Sequence, residues 1–182
     1  MKALVFDTET TGLTTNRTVA LGMQPHVIEF YGCIADLKKG KILHELNTLI
    51  RPPEARLITP EITKITTITW EMVKDEKPMA EVMPSIIALI NKAKGLPIIA
   101  HNLSFDLEVV EVEAQRLNQQ ITWPARKLCT VEQTIHLKGF RLSLSALHQY
   151  LFNEAFEGAH RAKVDVMALL RCCCELVKRD LL

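Results

Sequence analysis

Two acidic residues near the start of the chain are the first side chains with the type and spacing to bind a metal ion. Asp7 and Glu9 follow the apolar run Ala3–Phe6, which is typical of a buried strand. Side chains two residues apart in a strand point to the same face, so we expect both carboxylates to project together. At about 4 Å and an effective dielectric constant near 20, their repulsion is on the order of 4 kcal/mol. A divalent cation between them would remove that cost; the alternative is that Asp7 caps a turn.

Two later stretches carry residue types that would complete such a site. His101–Asp106 follows a second apolar run, Leu96–Ala100, and His160 and Asp165 lie at the start of a long C-terminal apolar pattern. A separation of five residues rotates two helical side chains apart by about 140°. His160 and Asp165 would therefore converge only if His160 lies on the loop before the helix and Asp165 lies one turn into it.

Four carboxylates brought together would carry the charge that two divalent cations balance. Oxygen ligands of this kind are preferred by Mg²⁺ and Mn²⁺. Two such ions can bracket a phosphate, one at the attacking water and one at the leaving oxygen. A histidine such as His160 is suited to take the proton of that water near neutral pH. The chemistry predicted is phosphodiester hydrolysis, and the four acids are Asp7, Glu9, Asp106 and Asp165.

The remaining sequence pattern predicts an α/β fold that brings these residues to one edge of a sheet. Three strand-like runs come first, ending near Glu9, Asp36 and Ile50, and two strand–helix units follow. The prediction is a mixed sheet of three antiparallel and two parallel strands flanked by helices, with its ligand site at the carboxyl ends of the strands. Helices are predicted over residues 60–64, 80–94, 131–137, 143–152 and 160–179, and through residue 118 after Asp106, with a surface connection over 71–79.

Size and composition are those of an ordinary globular domain. The chain has 182 residues, of which 48% are hydrophobic and 24% charged, and its formal net charge is +1. We expect one domain over residues 1–182, and any nucleic-acid contact must come from local patches or bound metal. No apolar stretch has membrane-spanning length and the N-terminus has no leader pattern, so we expect a cytoplasmic protein without a membrane partner. The five cysteines show no metal-binding spacing and are predicted to be free, buried or half-buried apolar side chains.

The motifs together resemble those of the DEDDh group of 3′–5′ exonucleases, the family of the proofreading ε subunit of bacterial DNA polymerase III, RNase T and oligoribonuclease. The matches are Phe6–Leu13, His101-Asn102-x-x-Phe105-Asp106 and His160-x-x-x-x-Asp165, with weaker ones at Val27–Glu29 and at Leu142-Ser143-x-x-x-Leu147. Each motif is weak alone, but their order and spacing are specific, and the resemblance covers the chain from end to end.

The resemblance implies an RNase H-like fold and stepwise removal of 5′-mononucleotides from a 3′ end. It assigns two divalent cations, Mg²⁺ or Mn²⁺, to the four acids, and the role of general base to His160. It also implies substrate contacts: Thr10 would touch the terminal nucleotide through its backbone and Leu13 would wedge against its base. Asn102 and Phe105 would line the substrate groove.

The chain departs from the family pattern in two places. Thr67–Thr69 stands where many relatives carry Gly-Ile-Thr, and the loop Thr14–Pro25 is longer than usual. No tail that would bind a polymerase follows the last motif before Leu182. We therefore expect a free-standing exonuclease or a proofreading-like subunit without a tail, and leave a polymerase partner open.

The substrate is not decided by the residues. Single-stranded DNA is favoured, while RNA or very short oligonucleotides at the same site stay open, because sugar discrimination depends on the pocket shape. A non-catalytic binding module on this fold is disfavoured, since all five catalytic positions are filled. Other side chains have ordinary structural interpretations: His101 as a hydrogen-bonded histidine at a strand end, Trp70, Trp123 and Phe140 as packing groups, and Lys127, Lys138, Arg141, Arg161 and Lys163 as a solvated face or phosphate contacts.

Overall fold

In the computed structural model, which describes residues 1–15 and 19–182, one mixed sheet runs through the centre of the molecule. Its spatial order is β3-β2-β1-β4-β5. The first three strands are antiparallel, and β4 and β5 run parallel to β1. This confirms the predicted sheet; the strands are β1 (Lys2–Thr10), β2 (Val27–Asp36), β3 (Lys41–Leu49), β4 (Ile98–Ala100) and β5 (Lys127–Cys129).

Helices cover both faces of this sheet. One face packs against α3 and α4 and the other against α8. No helix among residues 1–15 and 19–182 is long and apolar enough to traverse a bilayer. The helices are α1 (Pro60–Thr66), α2 (Trp70–Val73), α3 (Met79–Lys92), α4 (Leu103–Arg116), α5 (Thr130–Gln133), α6 (Ile135–Lys138), α7 (Leu144–Phe152) and α8 (Ala162–Lys178), with 3₁₀ turns at Leu21–Met23 and Ala55–Leu57.

The alternation of side chains along β1 decides where its acids point. In the apolar first half of the strand, the odd-numbered residues lie in the core beneath α8 and the even-numbered ones in the core beneath α3 and α4. The same alternation continues to the end of the strand, because successive side chains point to opposite faces. Asp7 and Glu9 thus fall on the face of α8, and Thr8 falls on the face of α4.

Three predicted boundaries differ from the structure for local reasons. Residues 71–79, predicted as a surface connection, begin within α2, because Val73 is buried against Ile28 and Ile68. The helix predicted over 131–137 divides into α5 and α6 at Thr134, whose hydroxyl donates to the Thr130 carbonyl at 2.7 Å. The C-terminal helix begins at Ala162 rather than at residue 160.

The two departures from the family pattern, Thr67–Thr69 and the loop Thr14–Pro25, differ in how much of each the structure describes. Thr67 adopts φ 61°, ψ 1°, a left-handed conformation that a glycine reaches without steric cost. Residues 16–18 of the loop Thr14–Pro25 lie outside the described part of the chain. The end of that loop is held to α4 by Arg116, whose guanidinium donates to the carbonyls of Leu21, Gln24 and Pro25.

Candidate active site

Three carboxylates meet at the carboxyl end of β1. One oxygen each of Asp7, Glu9 and Asp165 lies within 4.8 Å of the others. Asp7 and Glu9 come from the face of β1 that is turned toward α8, and Asp165 lies in the first turn of α8. Three of the four predicted acids are therefore brought together, and we call these three the acidic trio.

Burial and mutual repulsion dominate the electrostatics of the acidic trio. Burial, followed by the charges of the neighbouring carboxylates, raises the pKa of Asp7 well above its usual range. The same two causes raise the pKa of Glu9 to about 8. Burial also raises the pKa of Asp165, although the backbone N–H of His160 acts against it. Carboxylate oxygens are hard ligands, so this donor set fits Mg²⁺ or Mn²⁺.

The fourth acid, Asp106, reaches the site from the opposite face of the sheet. It lies in the first turn of α4 and is buried. Thr8 donates both its backbone N–H, at 3.0 Å, and its hydroxyl, at 2.8 Å, to Asp106 Oδ1. Asp106 is the charged neighbour that raises the pKa of Asp7 most, yet it lies outside the acidic trio. Its own pKa is raised to about 7 by burial, against the hydrogen bonds from Thr8.

His160 lies on the loop before α8, as convergence with Asp165 requires. Its backbone is left-handed, with φ 69°, and its N–H donates to Asp165 Oδ2 at 2.9 Å. This contact fixes the main chain of His160 beside the acidic trio, while the side chain is exposed at the cleft.

A partly buried ion pair beside Glu9 was not predicted from the sequence. Glu29 on β2 lies directly opposite Glu9 and accepts from Arg161 Nε at 3.1 Å and Nη2 at 2.8 Å. It also accepts from the backbone N–H of Ala162, the first residue of α8, at 2.9 Å. The pair thus anchors the N-terminus of the helix that carries Asp165. The available signal was an acid inside the apolar strand β2, which requires a positive partner when buried.

His101 is a fully hydrogen-bonded histidine, as predicted. Its Nε2 contacts the Leu142 carbonyl at 3.1 Å, so this nitrogen must carry the proton. Its Nδ1 then accepts from the Thr130 hydroxyl at 2.9 Å. Burial lowers the pKa of His101 to about 4, consistent with a neutral ring. His101 therefore ties the end of β4 to the segment that begins at Leu142.

A cleft of about 440 Å³ opens beside the acidic trio. Leu13, 81% exposed, and the half-buried Phe105, two of the residues predicted to contact substrate, both line it. Asn102 also lines the cleft and begins α4 in a left-handed conformation. Thr10 does not line it; its hydroxyl donates to the Gly12 carbonyl at 2.6 Å and shapes the turn that presents Leu13. Phe156 and Ser143–Ser145 line the cleft as well, although the sequence pattern gave them no role there.

Comparison with known proteins agrees with this geometry. Residues 4–172 match the model of the RNase T family, described as "Exonuclease". The chain belongs to this family. This is a family of exonucleases, hydrolases acting on phosphodiester bonds, and the chain is related to the DNA polymerase III ε subunit and to PolC-type DNA polymerase III.

The curated relatives are DNA polymerase III proteins that are longer than this chain. It is 31% identical over 176 residues to the DNA polymerase III subunit epsilon of Treponema pallidum, covering 94% of this chain and 72% of that protein. It is 32% identical over 169 residues to the PolC-type DNA polymerase III of Caldanaerobacter subterraneus subsp. tengcongensis, covering 91% of this chain. In that second case the chain spans only 11% of the relative's length.

Solved structures share the fold at lower identity. The nuclease domain of 3′hExo, a DEDDh family member bound to rAMP, superposes with a TM-score of 0.79 at 13% identity, covering 98% of this chain and 92% of that one. Exonuclease X in complex with 5′-overhanging duplex DNA superposes with a TM-score of 0.65 at 24% identity, covering 97% and 92%. These similarities show the fold of the exonuclease family.

Proposed function

We propose that residues 1–182 form one exonuclease domain that removes 5′-mononucleotides from the 3′ end of DNA and depends on two divalent cations, Mg²⁺ or Mn²⁺. The observation that carries this proposal is the acidic trio at the end of β1, beside an exposed histidine and an open cleft. Several buried carboxylates that raise one another's pKa values would only destabilise a purely structural core.

The cations would be held by the acidic trio together with Asp106, which supplies charge from the other face of β1. When bound, divalent cations stabilise negative charge on the phosphate oxygens and favour deprotonation of water. The protein's own contribution is to fix the carboxylates: β1 holds Asp7 and Glu9, Thr8 holds Asp106, and the anchored start of α8 holds Asp165.

His160 is the proposed general base. Its backbone is held by Asp165, and its exposed imidazole reaches the cleft. The imidazole takes a proton from the water whose oxygen attacks phosphorus. The bond from phosphorus to the 3′ oxygen breaks, so the products are a 5′-mononucleotide and a strand with a new 3′ hydroxyl.

The terminal nucleotide is proposed to lie between Leu13 and Phe105. The exposed apolar side chain of Leu13 gains burial when a base packs against it. Phe105 offers an aromatic ring in the same cleft, and Asn102 offers an amide for hydrogen bonding. Thr10 would contribute through its backbone, because its hydroxyl is already used in the turn.

DNA is the preferred substrate because the curated relatives are named as DNA polymerase III proteins. The same names raise the proposal that this domain works beside a polymerase. RNA is the second candidate, since one structure of the same fold holds rAMP and another is described as recognising the histone mRNA stem-loop.

Digestion of end-labelled strands tests the proposal. With Mg²⁺ or Mn²⁺, a 5′-labelled DNA oligonucleotide should shorten through a ladder, and a 3′-labelled one should release labelled mononucleotide from the first turnover. A chelator should stop both reactions, and Asp7→Asn should behave like the chelated enzyme. Faster digestion of RNA would favour the second candidate, whereas binding without cleavage would leave only a non-catalytic module.

A further inference from the structure

The connection between α6 and α7, which leads into the cleft-lining residues Ser143–Ser145, presents an aromatic ring and a cation to solvent. We call residues 138–145 the rim segment. Phe140 is 61% exposed, so it is not the packing group that its residue type predicts. Arg141 beside it is exposed and forms no ion pair with any residue that the structure describes. An exposed aromatic ring next to an unpaired cation is the composition of a surface that binds single-stranded nucleic acid.

The rim segment is held beside the active site by a hydrogen bond from His101. The His101 ring donates to the Leu142 carbonyl, and Ser143–Ser145 line the same cleft as His160. Phe140 is three residues from Ser143, and a chain extends by at most about 3.6 Å per residue. Phe140 thus lies within about 11 Å of the cleft lining, which is about three nucleotides at 3.4 Å per stacked base.

The charge of this region complements a phosphate backbone. Residues 133–153 contain no aspartate or glutamate, although the chain has 21 acidic residues. Within the rim segment, the Lys138 ammonium lies 5.1 Å from the centre of the Tyr150 ring on α7. The acidic floor of the cleft repels phosphates unless cations are bound, and a positive rim beside it would offset that repulsion along the approaching strand.

We infer that the rim segment binds the single-stranded part of the substrate just upstream of its 3′-terminal nucleotide. Phe140 stacks on a base and Arg141 pairs with a phosphate. This inference rests on the proposed exonuclease function and adds to it a second contact, outside the cleft. Since every base has an aromatic face, the contact works for any sequence.

Substrates of different length separate this contact from catalysis. The nitrophenyl ester of thymidine 5′-monophosphate fills only the cleft, whereas a ten-nucleotide DNA strand also reaches the rim segment. For Phe140→Ala, the ratio of kcat/KM for the strand to kcat/KM for the ester should fall about tenfold. The slope of log KM against log salt should decrease by about 0.7 for Arg141→Gln, the loss of one phosphate contact. Arg126→Gln is the matched control and should keep the wild-type ratio, because this exposed arginine precedes the first residue of β5 whereas the cleft lies at the carboxyl ends of the strands.

Each outcome decides the matter. A lowered ratio in Phe140→Ala and a reduced salt slope in Arg141→Gln support the inference. An unchanged ratio overturns it, and so does an equal loss on both substrates, which would mean that the variants disturb the cleft itself. A wild-type protein that cleaves neither substrate overturns the exonuclease proposal together with this one.

Discussion

Glu9 and Glu29 face each other across β1 and β2 and are both buried, yet their surroundings differ completely. Glu29 accepts from Arg161 and from the first backbone N–H of α8. Glu9 instead lies among other carboxylates, and burial together with those charges raises its pKa to about 8. A buried acid that is paired with a guanidinium and a backbone N–H is compatible with a stable fold. A buried acid surrounded by other acids instead indicates a cation-binding site.

The largest expected effect is the loss of kcat when Glu9, the acid surrounded by other carboxylates, is replaced. Glu9→Gln should lower kcat about a thousandfold or more, because several kcal/mol of transition-state stabilisation would depend on the cations that Glu9 is proposed to hold. The same change should raise the Tm of the metal-free protein, since it relieves repulsion within the acidic trio. Steady-state kinetics and thermal unfolding without metal check the two halves. Glu76→Gln, which changes an exposed glutamate, serves as the control. A decrease in kcat of less than tenfold for Glu9→Gln would show that Glu9 is not part of the active site.

The next largest effect is expected from replacing His160, the proposed general base beside the acidic trio. His160→Asn should lower kcat by about 10²–10⁴-fold, the usual contribution of a general base. Asparagine is the chosen replacement because it tolerates the left-handed backbone at this position. The rise in Tm on adding magnesium should persist, because the acidic trio is intact. Loss of that rise would instead identify His160 as a metal ligand.

A smaller effect, on the free energy of unfolding, is expected from breaking the ion pair between Glu29 and Arg161. Arg161→Met leaves the buried Glu29 charge without its cation and should destabilise the protein by about 2–3 kcal/mol, below the 3–5 kcal/mol typical of fully buried pairs because Arg161 is 31% exposed. Tm should fall by about 5–10 °C. Adding Glu29→Gln in the same chain should recover part of that loss, since no buried charge is then unpaired. Arg56→Met, which breaks the exposed pair with Glu54, should leave Tm at the wild-type value, and an equal fall there would argue against a special role for Glu29.

The smallest effect is the stabilisation by magnesium, which should depend on pH. The pKa of Glu9 is raised in the folded state, so the folded protein binds more protons than the unfolded chain between about pH 4.5 and 8. Stability of the metal-free protein should therefore fall as pH rises through that window. Magnesium at ten times its Kd should return about 1.4 kcal/mol at pH 8 and less at pH 6, where protons compete for the same oxygens. Calorimetric Tm measurements at the two pH values check this, and a larger magnesium effect at pH 6 would contradict it.

The sequence predicted those features that depend on period and order along the chain. A period of two in β1 placed Asp7 and Glu9 on one face, and the five-residue spacing required His160 to lie on a loop. The Glu29–Arg161 pair could not be predicted, because it joins residues 132 positions apart and nothing local in the sequence links them. The tie from His101 to the Leu142 carbonyl is of the same kind. The exposure of Phe140 was likewise set by tertiary structure, since residue type alone favoured packing.

Diffraction from crystals soaked with Mn²⁺ and a 5′-mononucleotide tests the central claim most directly. The account predicts two anomalous peaks within about 2.0–2.5 Å of carboxylate oxygens from the acidic trio and Asp106, with the phosphate beside them. Peaks bound elsewhere, or none at Mn²⁺ concentrations that support hydrolysis, would contradict it.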